Sequence, residues 1–227
     1  MYRFTTRIKR AIRRVLESIG LRERTARRYD ALFEAIHKLK PKTIMEVGTW
    51  NGHRAVQMIR AAADYHKPSE IHYYGFDLFE GMSPDLYDKE LSKWPPSEDE
   101  VQKKLEATGA HIHLYKGDTN KTMPDFAKEV SDIEFVFIDG GHAIETVEND
   151  WRWTKEVIAP NAIVIFDDYW PKRGKDGGSK LIVDAIDREK FAVDVLPTVD
   201  SFSDTDFGPL DIQFAQVSPK AVETRSE

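Results

Sequence analysis

TIMEVGTWNG, residues 43–52, begins as an apolar run, places Glu46 near its end and breaks on Gly48 and Gly52. A buried strand that turns sharply into a helix reads this way, because glycine lets the backbone bend and approach a neighbour where a side chain would collide. The spacing is E-x-G-x-x-x-G, carried by Glu46, Gly48 and Gly52. It departs from the G-x-G-x-x-G of dinucleotide binders, which counts against a nicotinamide enzyme.

Working outward, four further apolar runs have the same character: IHYYGFDLF (71–79), HIHLYKGD (111–118), EFVFIDG (134–140) and AIVIFDD (162–168). Helical patterns fill the gaps near 52–64, 98–108, 121–130, 143–158 and 178–189, each long enough for a crossover between parallel strands. FAVDVLP (191–197) and LDIQFAQVS (210–218) follow with no convincing helix between them, and read as an antiparallel pair closing the sheet. The expectation is an α/β fold with a doubly wound, mostly parallel, seven-stranded sheet.

The chain has 227 residues, enough for one large domain with a substantial core, and no cysteine. That excludes disulfides, thiolate metal sites and cysteine nucleophiles, and it fits a reducing compartment. No run approaches a membrane span and the N-terminus lacks the apolar core of a signal peptide, so the cytoplasm is the expected location.

The net charge of −6 hides an asymmetry: residues 1–28 carry +8 and the remaining 199 carry −14. Phe4, Ile8, Ile12, Val15 and Ile19 recur at helical spacing among the arginines, which predicts a basic amphipathic helix ending near Gly20. It reads either as a solvated cap helix or as a docking element, through residues 1–20, for an anionic membrane surface or an acidic partner. An acidic body without interleaved aromatics argues against nucleic acid. The division expected is an extension over 1–40 and one ligand-binding domain over 41–227.

In a sheet of this kind ligands bind beyond the carboxyl ends of the strands, where the unusual residues collect. Asp77 ends the second run and can accept the hydroxyl hydrogens of a ribose. Asp118 ends the third; it can accept from an adenine amino group, or simply cap the helix that follows. Asp139 ends the fourth, and Asp167 with Asp168 end the fifth, so three carboxylates converge on one rim. Without a cation they repel one another, whereas Mg²⁺ or another divalent cation would take them as hard oxygen ligands. The plainer alternative has Asp139 capping a turn and the pair solvated. Tyr169 and Trp170 stand beside the pair, either as walls of a substrate pocket or as packing.

EVGTWNG, GFDLF, KGDTN, FIDGGH and FDDYW together resemble the class I S-adenosylmethionine-dependent methyltransferases over roughly residues 41–218. FIDGGHAIETVENDW followed by NAIVIFDDYW is similar to a narrower set, the metal-dependent small-molecule O-methyltransferases of the catechol and macrocin type. The resemblance implies S-adenosylmethionine bound by Glu46, Gly48, Gly52, Asp77, Asp118 and Asp139, and a divalent cation held by Asp139, Asp167 and Asp168. His142, three residues after Asp139, is the expected proton acceptor beside Asp139. The catechol-type enzymes carry a Lys at the comparable place, so His142 departs from that pattern.

The acceptor implied is a hydroxylated small molecule such as a sugar or glycan precursor, by family analogy alone. The polar excursion 80–97 and the basic loop 171–178, with Lys172, Arg173 and Lys175, border the same rim. Two other classes stand beside this reading. One is an NAD-dependent enzyme of the same architecture; the other is a non-catalytic adaptor that docks through the basic helix and binds adenosyl ligands without a metal.

Overall fold

The computed structural model describes residues 27–90, 93–173, 175, 177–203, 205 and 208–221. Five strands run parallel: β1 (Thr43–Val47), β2 (His72–Asp77), β3 (His111–Lys116), β4 (Ile133–Ile138) and β5 (Ile158–Tyr169). They are followed by β6 (Phe191–Val195), β7 (Asp200–Phe202) and β8 (Leu210–Pro219). β8 lies antiparallel to β5, and β6 antiparallel to β8, which is the closing pair the sequence predicts. The order along the sheet is β3-β2-β1-β4-β5-β8-β6. β7, three residues that pair with β8 off this path, brings the total to eight strands and was not among the seven expected.

Strand alternation sorts the apolar residues into two layers. Ile44, Phe135, Phe137, Ile163 and Ile165 face one side, where Leu32, Met58, Val101 and Leu105 cover them. Met45, Val136, Ile138, Val164 and Phe166 face the other, under Met123, Phe126, Val147 and Trp151. Both faces of β1, β4 and β5 are therefore buried, the usual state of a parallel sheet and the reason these strands read as continuous apolar runs.

The covering helices are α1 (Tyr29–Leu39), α2 (His53–Ala63), α3 (Pro84–Lys89), α4 (Glu98–Glu106), α5 (Thr119–Glu129), α6 (Ile144–Val157) and α7 (Lys180–Ala185). α4 starts on a capping box of Ser97 and Glu100, and α5 on Asp118, whose side chain accepts from the Asn120 amide. α1 falls inside the stretch assigned to the extension 1–40, yet Leu32, Ala35 and Ile36 are buried in the sheet core. The described part of that stretch is thus built into the body. The basic amphipathic helix expected over 1–20 lies outside the described residues. Among the described residues no helix is long and apolar enough to cross a membrane.

The strand order reverses between β1 and β4. Chain leaving these two strands departs to opposite faces, which opens a crevice at their carboxyl ends.

Candidate active site

The loop after β1 is held by main-chain geometry. The Gly48 and Thr49 amides donate to the Phe76 carbonyl at 2.9 and 3.2 Å, tying the turn to the end of β2. Gly48 has φ +95°, and a Cβ there would lie 2.1 Å from the Asp139 carbonyl oxygen. The loops after β1 and β4 therefore touch backbone to backbone, which only glycine permits. The Trp50 amide, on a residue with φ +45°, donates to Asp77 Oδ2 at 2.6 Å, and the Phe79 amide donates to Oδ1 at 3.0 Å. Asp77 is thereby aimed along the rim. Burial raises its pKa against the pull of these backbone donors.

A cavity of about 450 Å³ opens over this loop. Gly48, Asp77, Asp118 and Asp139 line it, as do His142 and Asp168. Asp118 is at the same time the cap of α5, its Oδ1 accepting from the Asn120 amide at 2.9 Å. Two expected ligand residues do not reach the cavity. Glu46 is buried behind the strand, where the Tyr73 hydroxyl donates to it, and burial lifts its pKa to about 8 despite that bond. Gly52, with φ +68°, caps α2, and its missing side chain makes room for Val101 and Leu105 of α4. Both residues lie outside the lining of the cavity.

The acidic rim is held by side chains instead. Asp139, Asp167 and Asp168 converge as expected, with ligand oxygens all within 4.8 Å of one another. Arg28 donates from Nε to Asp167 Oδ1 at 2.8 Å and from Nη2 to Oδ2 at 2.9 Å, a two-pronged pair in a nearly water-free setting. The Tyr29 hydroxyl adds a bond to Oδ2 at 3.0 Å and the Asp168 amide one to Oδ1 at 2.6 Å. Burial and the charge of Asp168 push the Asp167 pKa up, and Arg28 opposes them.

His142 donates from Nδ1 to the Glu90 carbonyl at 2.6 Å and from Nε2 to Asp168 Oδ2 at 2.8 Å. A ring with an acceptor at both nitrogens is an imidazolium. Burial would lower its pKa, but the charge and hydrogen bond of Asp168 outweigh burial and bring it to about 9. Asp168 answers with a pKa near 2, burial being overcome by His142. The other Asp168 oxygen accepts from Trp170 Nε1 at 3.1 Å, and the Trp170 ring stacks on His142. His142 thus has no free lone pair in this arrangement, and the proton-acceptor role expected of it does not fit the bonds it makes.

Asp139 is the member of the trio whose carboxylate accepts no hydrogen bond among the described residues. Burial first, then the charges of Asp167 and Asp168, raise its pKa well above the carboxylate range. As donors for a hard cation the three carboxylates have the right chemistry, but four of their six oxygens already face an arginine, an imidazolium, a phenol or an indole. Two of those partners carry positive charge. The expected metal ligands do converge, and the donor set does not fit a divalent ion while these partners stay in place.

Several residues at the site went unremarked in the sequence. Arg28 and Tyr29 stand well over a hundred positions before Asp167. Glu90, at the end of α3, accepts from the Ala143 amide at 3.0 Å and from the Thr146 hydroxyl at 2.8 Å. Asp150 of α6 is buried against Gly140 with one oxygen lacking a partner, and burial raises its pKa to about 7 despite bonds to Thr119 and Asn149. From the excursion 80–97, Met82, Leu86 and Lys93 line the cavity, as do Phe202, Leu210 and Ile212. Of the two aromatics beside the acidic pair, Tyr169 is packed in the core and hydrogen bonded to Asp184, and Trp170 lines the cavity. In the basic loop, Lys172 pairs with Asp211 at 2.6 Å.

A search of the curated proteins finds no match. Among solved structures the chain is similar to an O-methyltransferase, TomG, from Streptomyces achromogenes, crystallised with SAM: 14% identity, TM-score 0.57, covering 83% of this chain and 78% of that one. A putative O-methyltransferase from Klebsiella pneumoniae gives 17%, 0.59, 92% and 89%. An O-methyltransferase from Bacillus cereus, in complex with SAH, gives 12%, 0.54, 92% and 89%. At these identities the likeness concerns the fold. A family model described as a methyltransferase domain matches residues 45–169, which contain both rims of the cavity. The chain belongs to that methyltransferase family and has the α/β fold of its class I members.

Proposed function

We propose that the chain is an S-adenosylmethionine-dependent O-methyltransferase acting on a hydroxylated small molecule. The observation that carries this reading is the continuity of one cavity, which runs from Gly48 and Asp77 to Asp139 and Asp168 without a dividing wall. A methyl donor and an acceptor seated at its two ends would meet over Asp139. Asp77 accepts the ribose hydroxyls with the lone pairs that the Trp50 and Phe79 amides leave over. Gly48 lets the donor lie against the backbone.

The sulfonium of S-adenosylmethionine supplies an already activated methyl group, so the protein's part is alignment and proton removal. Asp139 takes the acceptor's hydroxyl proton, the acceptor oxygen bonds to the methyl carbon, and the carbon–sulfur bond breaks. The products are a methyl ether, S-adenosylhomocysteine and a protonated Asp139 that returns its proton to water. Burial raises its pKa, which strengthens it as a proton acceptor once it is ionised. The His142–Asp168 pair fixes the floor beside it. Trp50 and Trp170 line the cavity, and an aromatic lining favours a cyclic acceptor such as a sugar.

Calorimetry with S-adenosylhomocysteine tests the donor half, and failure of the full chain to bind it overturns the reading. Transfer of labelled methyl from S-adenosylmethionine to a panel of sugars and phenols tests the acceptor half. Label recovered on nitrogen or carbon instead of oxygen would refute the O-methyl assignment.

A further inference from the structure

We propose that Arg28 stands in for the divalent cation at the carboxylate rim, so that the protein binds its methyl donor without a metal ion. The inference rests on the reading of the cavity as a methyl-transfer site and departs from the metal dependence that the sequence resemblance implies.

Three observations carry it. The first is the grip on Arg28 itself. Besides the two bonds to Asp167, its Nη1 donates to Asp200 Oδ2 at 3.2 Å, while Asp200 also accepts the Arg27 and Arg28 amides at 3.0 and 3.1 Å. The guanidinium lies 4.7 Å from the Tyr29 ring centre and 5.5 Å from that of Phe214. Arg28 is only 6% exposed, so moving it aside would strand a buried cation as well as a buried carboxylate.

The second observation is space. Asp139 and Asp168 face the large cavity, but Asp167 does not. The void that all three border together, shared with Ile138 and Ser179, holds about 10 Å³, the volume of a single water. An ion in the large cavity would forgo Asp167, and an ion in the small void would have no room for the waters that Mg²⁺ keeps.

The third is charge. Asp167 holds a guanidinium on both of its oxygens, and the two oxygens of Asp168 are taken by His142 Nε2 and Trp170 Nε1. A divalent ion added beside Asp167 would be repelled by the guanidinium that holds it, and at Asp168 it would have to displace two hydrogen bonds. Arginine suits the substitution because its planar fork meets both oxygens of one carboxylate and stays charged at any working pH.

The test uses the full-length chain, stripped with EDTA and titrated with Mn²⁺ alone, free Mn²⁺ being read by electron paramagnetic resonance. The wild type is expected to take up no Mn²⁺ below about 1 mM, the range of weak carboxylate sites. Its affinity for S-adenosylhomocysteine, measured by calorimetry in EDTA and in Mg²⁺, should agree within about twofold. Arg28→Met, which keeps the bulk and removes the charge, should tighten Mn²⁺ uptake by about tenfold or more. One Mn²⁺ per wild-type chain at micromolar concentration overturns the proposal, as does a tenfold loss of S-adenosylhomocysteine affinity in EDTA. A folded Arg28→Met chain that still ignores Mn²⁺ overturns the assignment to Arg28. If that variant does not fold, the wild-type titrations decide alone. Failure to bind S-adenosylhomocysteine in any buffer would instead defeat the functional reading, while Mn²⁺ uptake with intact S-adenosylhomocysteine binding defeats only this one.

Discussion

The two rims of the cavity are built by opposite means. Around Gly48 and Asp77 the protein uses its own amides: Gly48 and Thr49 to the Phe76 carbonyl, Trp50 and Phe79 to Asp77. Around Asp167 and Asp168 it uses long side chains drawn from elsewhere, Arg28 for one and His142 for the other. The first rim is rigid because strands fix it. The second is rigid because charges are paired out of water, and it is correspondingly vulnerable to the loss of one partner.

The sharpest way to break the comparison is at Arg28. Arg28→Ala leaves Asp167 buried without its counter-charge, and chemical denaturation should register a loss of about 3–5 kcal/mol. A loss below about 1 kcal/mol would place this pair among surface ion pairs, and the second rim would then be no different in kind from the first. Next is Gly48→Ala. The new methyl meets the Asp139 carbonyl, which cannot yield, so stability should drop by about 2–4 kcal/mol and S-adenosylhomocysteine binding should fall with it. A chain that accepts alanine at 48 with binding intact would mean that the two loops are free to part.

Asp77→Asn is a milder probe, since the loop keeps an acceptor for one amide while the charge is lost. Ligand affinity should weaken by about 1.5–3 kcal/mol with little change in melting temperature. Equal affinity in a folded variant removes Asp77 from the ribose. The last probe is pH. Glu46 has a folded pKa of about 8, above the ordinary value of 4.5, so between those limits the folded chain holds a proton that the unfolded chain has released. Stability from this group is present at low pH and declines as pH rises toward 8, by up to about 1.4 kcal/mol per pH unit. Glu46→Gln should flatten the fall in denaturation midpoint over that interval, and an unaltered slope would assign it to Asp150 instead.

The same contrast explains what the sequence disclosed. A parallel strand buried on both faces leaves an uninterrupted apolar run, so β1 to β5 and the acidic residues at their tips were legible, as was the closing pair of β6 and β8. Asp77, Asp118, Asp139 and His142 all reach the cavity from such tips. Glu46 was misplaced because strand alternation does not say which side of a rim a side chain leaves by, and here Tyr73 claims it. Gly52 looked like a ligand position, but its reason is the packing of α4 against α2. Tyr29, Leu32, Phe33, Ile36 and Leu39 carry a helical period that the basic run before them overshadowed, so α1 was read as extension. α3 and β7 are too short to show any period. The partners of the charged rim are beyond pattern reading altogether. Nothing local pairs Arg28 with a carboxylate 139 positions on, and without that pair the trio of aspartates reads as a metal site.

Glu90 makes α3, α6 and His142 a single mechanical part. Its carboxylate caps α6 through the Ala143 amide and its carbonyl holds His142, while α3 ends on it. Displacing Glu90 would uncap the helix and release the His142 ring in one motion. The hydrogen exchange of one backbone amide, at Ala143, should therefore report whether Glu90 is in place, and a ligand seated against it should slow that exchange.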